Sequence, residues 1–440
     1  MSKTLKEKWE SFENDDEKVR DFQRKIYRKA KQEPKFRFYI LYDKVSLPYM
    51  LREAYRRCAA NRGSPGIDGQ TFSDIEKKGV EEFLETIQKE LKEETYKPQM
   101  VLRKYIPKAN GKMRPLGIPT IKDRVVQMAC KMIIEPIFEA DFEDSSYGYR
   151  PKRSAKDATA KIKELLKQGH TEVYDADLSS FFDTIPHKEL MYLVGLRVSD
   201  KRILRLIKMW LKTPVYEDGR PKGGKKNKKG TPQGGVISPL LANIYLHLLD
   251  RAIKRVGGIF KAAEVEIVRY ADDFVLMAKK LTNRCLEYLK GMLGKMQLKI
   301  NEEKTRIVNA EEEAFNFLGF TFRYDKDLRG RNKKYWNVIP SKKAEKKVRE
   351  NIDAYLKNYG HHDPETVAYR LNYIIRGWIN YFDIPGISYP RKAKRKLRWY
   401  LMEKLYRYYR RKSQRKCKLH RKGAFEVLVS KYGLINPCKM

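Results

Sequence analysis

Val265 to Met277 reads VEIVRYADDFVLM. It predicts two apolar strands around a tight turn, with two adjacent acids, Asp272 and Asp273, at the tip. Val268 on one side and Phe274, Val275 and Leu276 on the other set those carboxylates beside a hydrophobic sheet. Such placement is costly unless a cation compensates it. Asp is also common in solvated turns, so the run alone leaves metal binding and a plain turn both open.

A second acidic run, Tyr174-Asp175-Ala176-Asp177-Leu178, lies 95 residues before Asp272 when measured from Asp177. Strand alternation puts Asp175 and Asp177 on one face, and the residues alone do not separate them. Phosphoryl transfer with two metal ions needs carboxylates converging from separate segments. Asp and Mg²⁺ match as hard oxygen ligand and hard cation. Neighbouring strands carrying Asp177 and Asp272 would meet that need.

Around these runs the pattern predicts charged helix over the first forty residues and an amphipathic helix over Leu41 to Ala60. Asn61 to Gly69 is dense in turn formers. Helix is expected again over 74–94, then a strand over Val101 to Ile106 and a hairpin at Ala109-Asn110-Gly111 that resumes at Arg114. A helix follows over 122–142, a strand around Thr171 to Leu178, and helices to about Lys212. Residues 217–230 read as a flexible basic loop. Ser238 is expected to cap, and Pro239 to open, a helix through Asp250. Helix over 281–297 and strand over 314–324 precede a basic, helical remainder from about Lys342, with a composition shift near residue 335.

With 95 Lys and Arg against 56 Asp and Glu, the 440-residue chain carries a formal net charge of +39. That charge repels itself in a bare globule and points to a polyanionic partner. The 28 Tyr and 18 Phe exclude a disordered basic tail and suit stacking on bases. Five scattered cysteines form no CxxC pair, so a reducing compartment is expected and a structural zinc site is not. No apolar run approaches the roughly 18 residues that span a bilayer, and residues 1–28 lack a signal-peptide core. A cytoplasmic location without membrane contact is expected.

The series DLSSFFD (Asp177 to Asp183), TPQGGVISPLLANIYL (Thr231 to Leu246), YADD, LKINEEKT (Leu298 to Thr305) and FNFLGF (Phe315 to Phe320) resembles the ordered motifs of reverse transcriptases. The resemblance extends upstream through IPKANGKMRPLGIPTIKDRVVQ (Ile106 to Gln127) and SYGYRPKRS (Ser146 to Ser154). It extends downstream to IRGWINYF (Ile375 to Phe382). It covers residues 40–385 and is similar to the type encoded by bacterial group II introns.

The resemblance implies an α+β right-hand polymerase: an N-terminal extension (1–70), fingers and palm (71–330), and a helical basic thumb or maturase (X) domain (335–440). It implies catalysis by Asp177, Asp272 and Asp273, with two Mg²⁺ ions held by Asp177, Leu178, Asp272 and Asp273, and it favours Asp177 over Asp175. It assigns the incoming nucleotide to Lys108, Arg114, Phe182 and Gln233. Lys108 and Arg114 would grip the triphosphate, Gln233 would line the pocket, and Phe182 would exclude a 2′-hydroxyl. The other reading of Phe182 is a core aromatic beside Phe181. From the residues alone Lys108 and Arg114 read as two exposed cations, and Gly234-Gly235 is equally a turn.

Residues 391–422 hold sixteen Lys or Arg against one acid, Glu403. Basic helix interleaved with aromatics suits an RNA backbone with stacking on unpaired bases. Arg376, Arg391, Lys392, Arg395, Arg398, Arg407, Arg410 and Arg411 are the candidate RNA contacts. Trp378 and Tyr381 read better as core. The expected partners are an intron RNA template, a DNA or RNA primer, dNTPs and a DNA target site, within a ribonucleoprotein. A Cys/His endonuclease domain, found in many members, is not seen, which weighs against second-strand cleavage. Rival readings are a domesticated defence- or CRISPR-associated reverse transcriptase, an RNA-binding splicing factor without polymerase activity, and a viral-type RNA polymerase, which Phe182 disfavours.

Overall fold

In chain order the strands are β1 (Val101–Pro107), β2 (Met113–Ile118), β3 (Glu172–Ala176), β4 (Val215–Glu217), β5 (Arg220–Lys222), β6 (Glu266–Tyr270), β7 (Asp273–Ala278), β8 (Arg306–Asn309), β9 (Phe315–Phe317), β10 (Phe320–Lys326) and β11 (Lys334–Pro340). They build three sheets, ordered β2-β1-β4-β5, β6-β7-β3-β8 and β11-β10-β9. Helices fill the rest, so the α+β class expected from the sequence holds. The computed structural model describes every residue except 1–2, 108–110, 112, 225, 232–233, 327–332, 361, 412–418 and 420–422. For 3–13 and 411 it describes the backbone alone.

The β6-β7-β3-β8 sheet is a wall between two hydrophobic cores. Because side chains alternate across a strand, Tyr174, Ala176, Ile267, Phe274, Leu276 and Ala278 face one core. That core is built with the N-terminal helices, Ile121–Glu139 and Ser238–Lys254. Val173, Val268, Val275, Met277 and Val308 face the other, built with Ala155–Lys167, β9 to β11 and the C-terminal helices. All three pairings in this sheet are antiparallel. The central strand β7 is covered on both faces and reads accordingly as a nearly continuous apolar run, Phe274 to Ala278.

The first core is tied together by Asp200. One of its oxygens accepts from the Leu41 and Tyr42 N–H groups at 2.9 Å each, and the other caps the helix Lys201–Leu211 through Arg202 and Ile203. Burial alone would raise this carboxyl, but the four N–H donors outweigh it and hold it below its usual range.

Several elements differ from the sequence reading. The helix expected over Leu41 to Ala60 is two, Tyr42–Val45 and Pro48–Ala60, since Pro48 lacks the N–H that would continue the first and starts the second instead. The helix expected over 74–94 breaks at Gly79, whose φ of +117° suits glycine alone, into Phe72–Lys78 and Val80–Lys92. Ser238 is not a cap. It is the first helical residue, and Ile237 stands at the cap with no side-chain bond. The supposed loop 217–230 contains β5, paired with β4 through Asp218 and Gly219, both at positive φ, an Asp-Gly hairpin turn.

Beyond β11 the helices Lys342–Asn358, Pro364–Phe382, Arg391–Arg411 and Ala424–Tyr432 pack on one another. Trp378 belongs to their core, as expected. Tyr381 is partly exposed, yet its ring stacks on Phe320 and its hydroxyl donates to the Leu318 carbonyl at 3.0 Å. No helix among the described residues is long and apolar enough to cross a membrane.

Candidate active site

The predicted hairpin is present, and its tip is locked from beneath. Tyr270 pairs with Asp273, leaving Ala271 and Asp272 as a two-residue turn with Ala271 at φ +59°. The left-handed region costs a non-glycine residue about 1–2 kcal/mol. Arg269 offsets that cost: its Nη1 donates to the Ala271 carbonyl and to Asn243 Oδ1, each at 2.9 Å, while Nε and Nη2 both reach Asp250. Asn243 in turn donates to the Gly148 carbonyl at 2.8 Å. A Cβ on Gly148 would lie 2.3 Å from the Ala271 nitrogen, so only glycine lets this segment press on the turn. The segment is stitched to β6 by Tyr147 N–H to Arg269 O at 2.8 Å and Arg269 N–H to Ser145 O at 2.9 Å.

Asp177 directly follows β3. Ala176 pairs with Phe274 of β7, so the chain leaves β3 beside the acidic turn. The backbone of 177–179 runs against the LKINEEKT segment through Asn301 N–H to Asp177 O and Ser179 N–H to Lys299 O, each at 2.8 Å. Asp177 Oδ2 accepts from Lys304 Nζ at 2.8 Å and from Asn301 Nδ2 at 3.2 Å. Asp175 lies within β3, with Arg306 at 3.8 Å. Leu178 is buried and bridges to Ile300, so only its main chain could serve a ligand.

The carboxylates are short of positive charge. Burial pushes Asp273 up to about 6, and Asp272, Asp177 and Asp175 push the same way against Lys304. Burial also raises Asp272, with Asp177 adding to the rise while Arg114 and Arg269 oppose it. Burial raises Asp175 too, against Arg306. This mutual destabilisation of neighbouring anions is what a bound cation relieves. Among the described residues, however, no three acidic, His or Cys side chains already enclose a metal-sized position. Asp177 is instead turned to Lys304.

Arg114 lies on β2, within electrostatic reach of Asp272. Lys108 and Gln233 fall outside the described residues. Gly234, at φ +116°, meets β2 directly: a Cβ there would lie 2.2 Å from the Gly117 carbonyl oxygen. Gly234 thus permits a close backbone approach, to another strand. Phe182 is 8% exposed, in the short helix Phe181–Thr184, with its ring edge-on to Phe181 at 5.4 Å. Its carbonyl accepts from Thr231 N–H at 2.7 Å.

Sequence reasoning missed Tyr149. It is half-exposed at φ +57°, and partial burial raises its hydroxyl, with Asp272 adding to the rise and Arg114 opposing it. It missed Arg269, Asp250, Asn243 and Gly148 as supports. The signal available was SYGYRP itself, whose Gly148 and Tyr149 face the turn.

On the C-terminal helices Arg376, Arg391, Lys392, Arg395, Arg407 and Arg410 are exposed, and Trp399 beside them is 67% exposed. Arg407 pairs with Glu403. Arg398 is half-buried over the Phe425 ring at 6.0 Å. The Arg411 side chain falls outside the described residues. Tyr409 is core rather than surface.

A family model described as reverse transcriptase (RNA-dependent DNA polymerase) matches residues 106–322. A second, the group II intron maturase-specific domain, matches residues 334–424. Protein YkfC of Escherichia coli K12 is 35% identical over 74% of this chain and 93% of its own length. The group II intron-encoded protein LtrA of Lactococcus lactis is 33% identical over 64% of this chain and 56% of its own length, so this chain spans little more than half of LtrA. A chain of a solved partial Cas6-RT-Cas1–Cas2 complex matches at 22% identity and a TM-score of 0.35, over 58% of this chain and 42% of that one. A likeness so loose carries no argument.

Proposed function

Since the chain belongs to the family of group II intron-encoded reverse transcriptases, we propose that it copies RNA into cDNA on a DNA or RNA primer and assists the splicing of an intron RNA. It carries both the RNA-directed DNA polymerase domain and the maturase-specific domain, and members of the polymerase family use divalent metal ions. The finer assignment is two Mg²⁺ ions held by Asp177, Asp272, Asp273 and the main chain of Leu178. Bound there, the ions would lower the pKa of the attacking hydroxyl and stabilise charge on the transferring phosphate.

The observation that carries this reading is the pairing of Ala176 with Phe274, which leaves Asp177 beside the Asp272–Asp273 turn, amid raised carboxyl pKa values. Lys304 neutralises Asp177 in the meantime and gives way to the ions. Arg114 and Lys108 grip the triphosphate, Gln233 lines the pocket, and Phe182 excludes the 2′-hydroxyl. The cations of Arg376 and of the helix Arg391–Arg411 take intron RNA, and a DNA target site supplies the primer in mobility. Primer extension on an RNA template with dNTPs, wild type against Asp272→Ala, tests the reading. Equal cDNA yield from the two overturns it.

A further inference from the structure

Behind the helix that carries Phe182, the helices His187–Gly195 and Lys201–Leu211 and the segment at Asn227 enclose a groove of about 700 Å³. Its lining includes Lys188, Lys201, Arg205, Lys208, Lys212 and Lys228, and no carboxylate. Of these only Arg205 forms an ion pair among the described residues, with Glu94 at 3.2 Å. The nearby Asp200 is spent on four backbone N–H groups. Cations that repel one another around an open groove are stabilised by an anionic occupant.

The pattern within the groove narrows that occupant. Lys201, Arg205, Lys208 and Lys212 recur at steps of four, three and four residues, so they form one stripe with successive side chains about 5–6 Å apart. That is a row of charges suited to the successive phosphates of an extended strand. Met191, Leu204 and Leu211 supply apolar lining between them. Tyr192, 67% exposed, stands on the same helix as the lining residues Lys188 and Met191, one turn after Lys188. A cationic track with apolar and aromatic surface beside it is how single strands are bound without sequence preference. A phosphate alone would not use the apolar lining, and a duplex would keep its bases from it.

We propose that this groove binds single-stranded RNA, as a footprint separate from the C-terminal helices. The groove backs onto the candidate nucleotide site. His187 Nε2 is hydrogen-bonded to the Gly230 carbonyl at 2.7 Å, and the next residue, Thr231, donates to the Phe182 carbonyl at 2.7 Å. A strand held there lies one hydrogen-bonded segment away from Phe182. The groove carries the single strand, the choice of RNA over DNA rests on the proposed function, and neither depends on polymerase activity.

The test uses the full chain and a labelled single-stranded RNA of about twelve nucleotides, a length within the usual single-strand footprint. Affinity is followed against salt for wild type, for Lys201→Gln/Lys208→Gln/Lys212→Gln, and for Lys280→Gln/Lys290→Gln/Lys295→Gln, which removes equal charge outside the groove. Melting curves check the fold of each. The groove variant is expected to lose about tenfold in affinity and to flatten the salt slope by about 2, at roughly 0.7 per phosphate, with a much smaller change in the control. Tyr192→Ala should weaken binding with the slope intact. Equal losses in the two triple variants, or no loss in either, overturn the proposal, the second outcome leaving the groove to an acidic peptide. Equal or tighter binding of duplex RNA, or of single-stranded DNA of the same sequence, overturns the assignment to single-stranded RNA. Primer extension by the wild type is scored separately, so an inactive polymerase that still shows the selective loss leaves the groove assignment standing.

Discussion

Arg269 and Asp250 meet through two hydrogen bonds, Nε to Oδ1 at 2.8 Å and Nη2 to Oδ2 at 2.5 Å, and neither side chain has surface open to solvent. The pair sits directly under the acidic turn, and Arg269 spends its remaining edge on the Ala271 carbonyl and Asn243. Removing one partner strands a buried charge, which costs about 3–5 kcal/mol. Arg269→Ala and Asp250→Ala should each lower the melting temperature strongly. Arg269→Lys, a point charge in place of a fork, should keep more stability yet raise the Mg²⁺ concentration for half-maximal primer extension, because the turn loses its clasp. Unchanged metal dependence in a folded Arg269→Lys protein would show that the pair supports the fold without positioning the turn.

Asp272→Ala and Asp177→Ala should each abolish DNA synthesis, since the proposed metal site loses a ligand. RNA affinity should stay near wild type, because the candidate RNA surfaces lie elsewhere. Asp175→Asn, which alters the carboxylate facing Arg306, should leave most activity. Primer extension and RNA binding on the same preparations separate these outcomes, and an active Asp177→Ala protein removes Asp177 from the site.

Phe182→Ala distinguishes a gate from a core residue. As a gate, its loss should let ribonucleotides in, each ~1.4 kcal/mol of lost discrimination being tenfold. As a core residue only, consistent with its burial, its loss should leave a cavity worth about 3–5 kcal/mol and reduce use of both nucleotides together. Single-nucleotide incorporation kinetics with matched ribo- and deoxyribonucleotides, read beside a melting curve, decides between them.

Replacing Arg391, Lys392, Arg395, Arg407 and Arg410 by Gln should weaken intron RNA binding and flatten its salt dependence by up to about 3.5, at roughly 0.7 per lost phosphate contact. These side chains are exposed, so the melting temperature should move little. An unchanged slope relocates the intron footprint away from this helix.

His247 gives a pH signature. Burial pushes its imidazole down to about 4, while a free histidine titrates near 6.5. Between those values the unfolded chain binds a proton that the folded chain refuses. Stability is therefore full above about pH 6.5 and falls as pH drops towards 4, by at most about 3 kcal/mol. His247→Phe should flatten the unfolding free energy over that window, and an unaltered pH slope would mean that other groups carry it.

Much of the site was legible because its chemistry sits in short local runs. The β6–β7 hairpin, with Asp272 and Asp273 at its tip, needs only thirteen consecutive residues to be read. The supports were harder to read, because Gly148 and Asn243 act on the turn from far along the chain: SYGYRP marks the segment, but nothing in it says that its glycine must touch Ala271. Two misreadings had usable signals. Asp218-Gly219 is a hairpin turn hidden by the lysines around it, and Pro48 forbade one continuous helix. The cap at Ser238 failed for a subtler reason: the turn from Gly235 to Ser238 is closed by backbone, leaving the side chain inside the helix.

The sheet that divides the two cores constrains how such a protein can be cut or recombined. A fragment ending before β9 would leave Val173, Val268, Val275, Met277 and Val308 covered by the helix Ala155–Lys167 alone, a partly bared apolar face of the kind that makes isolated chains self-associate. A chimera joining the first half of this chain to the C-terminal helices of a distant relative would have to match that face side chain for side chain. Exchange between relatives should therefore succeed with whole proteins, or with β3, β6, β7 and β8 carried together with the helices that cover them, and fail at a crossover between β8 and β9.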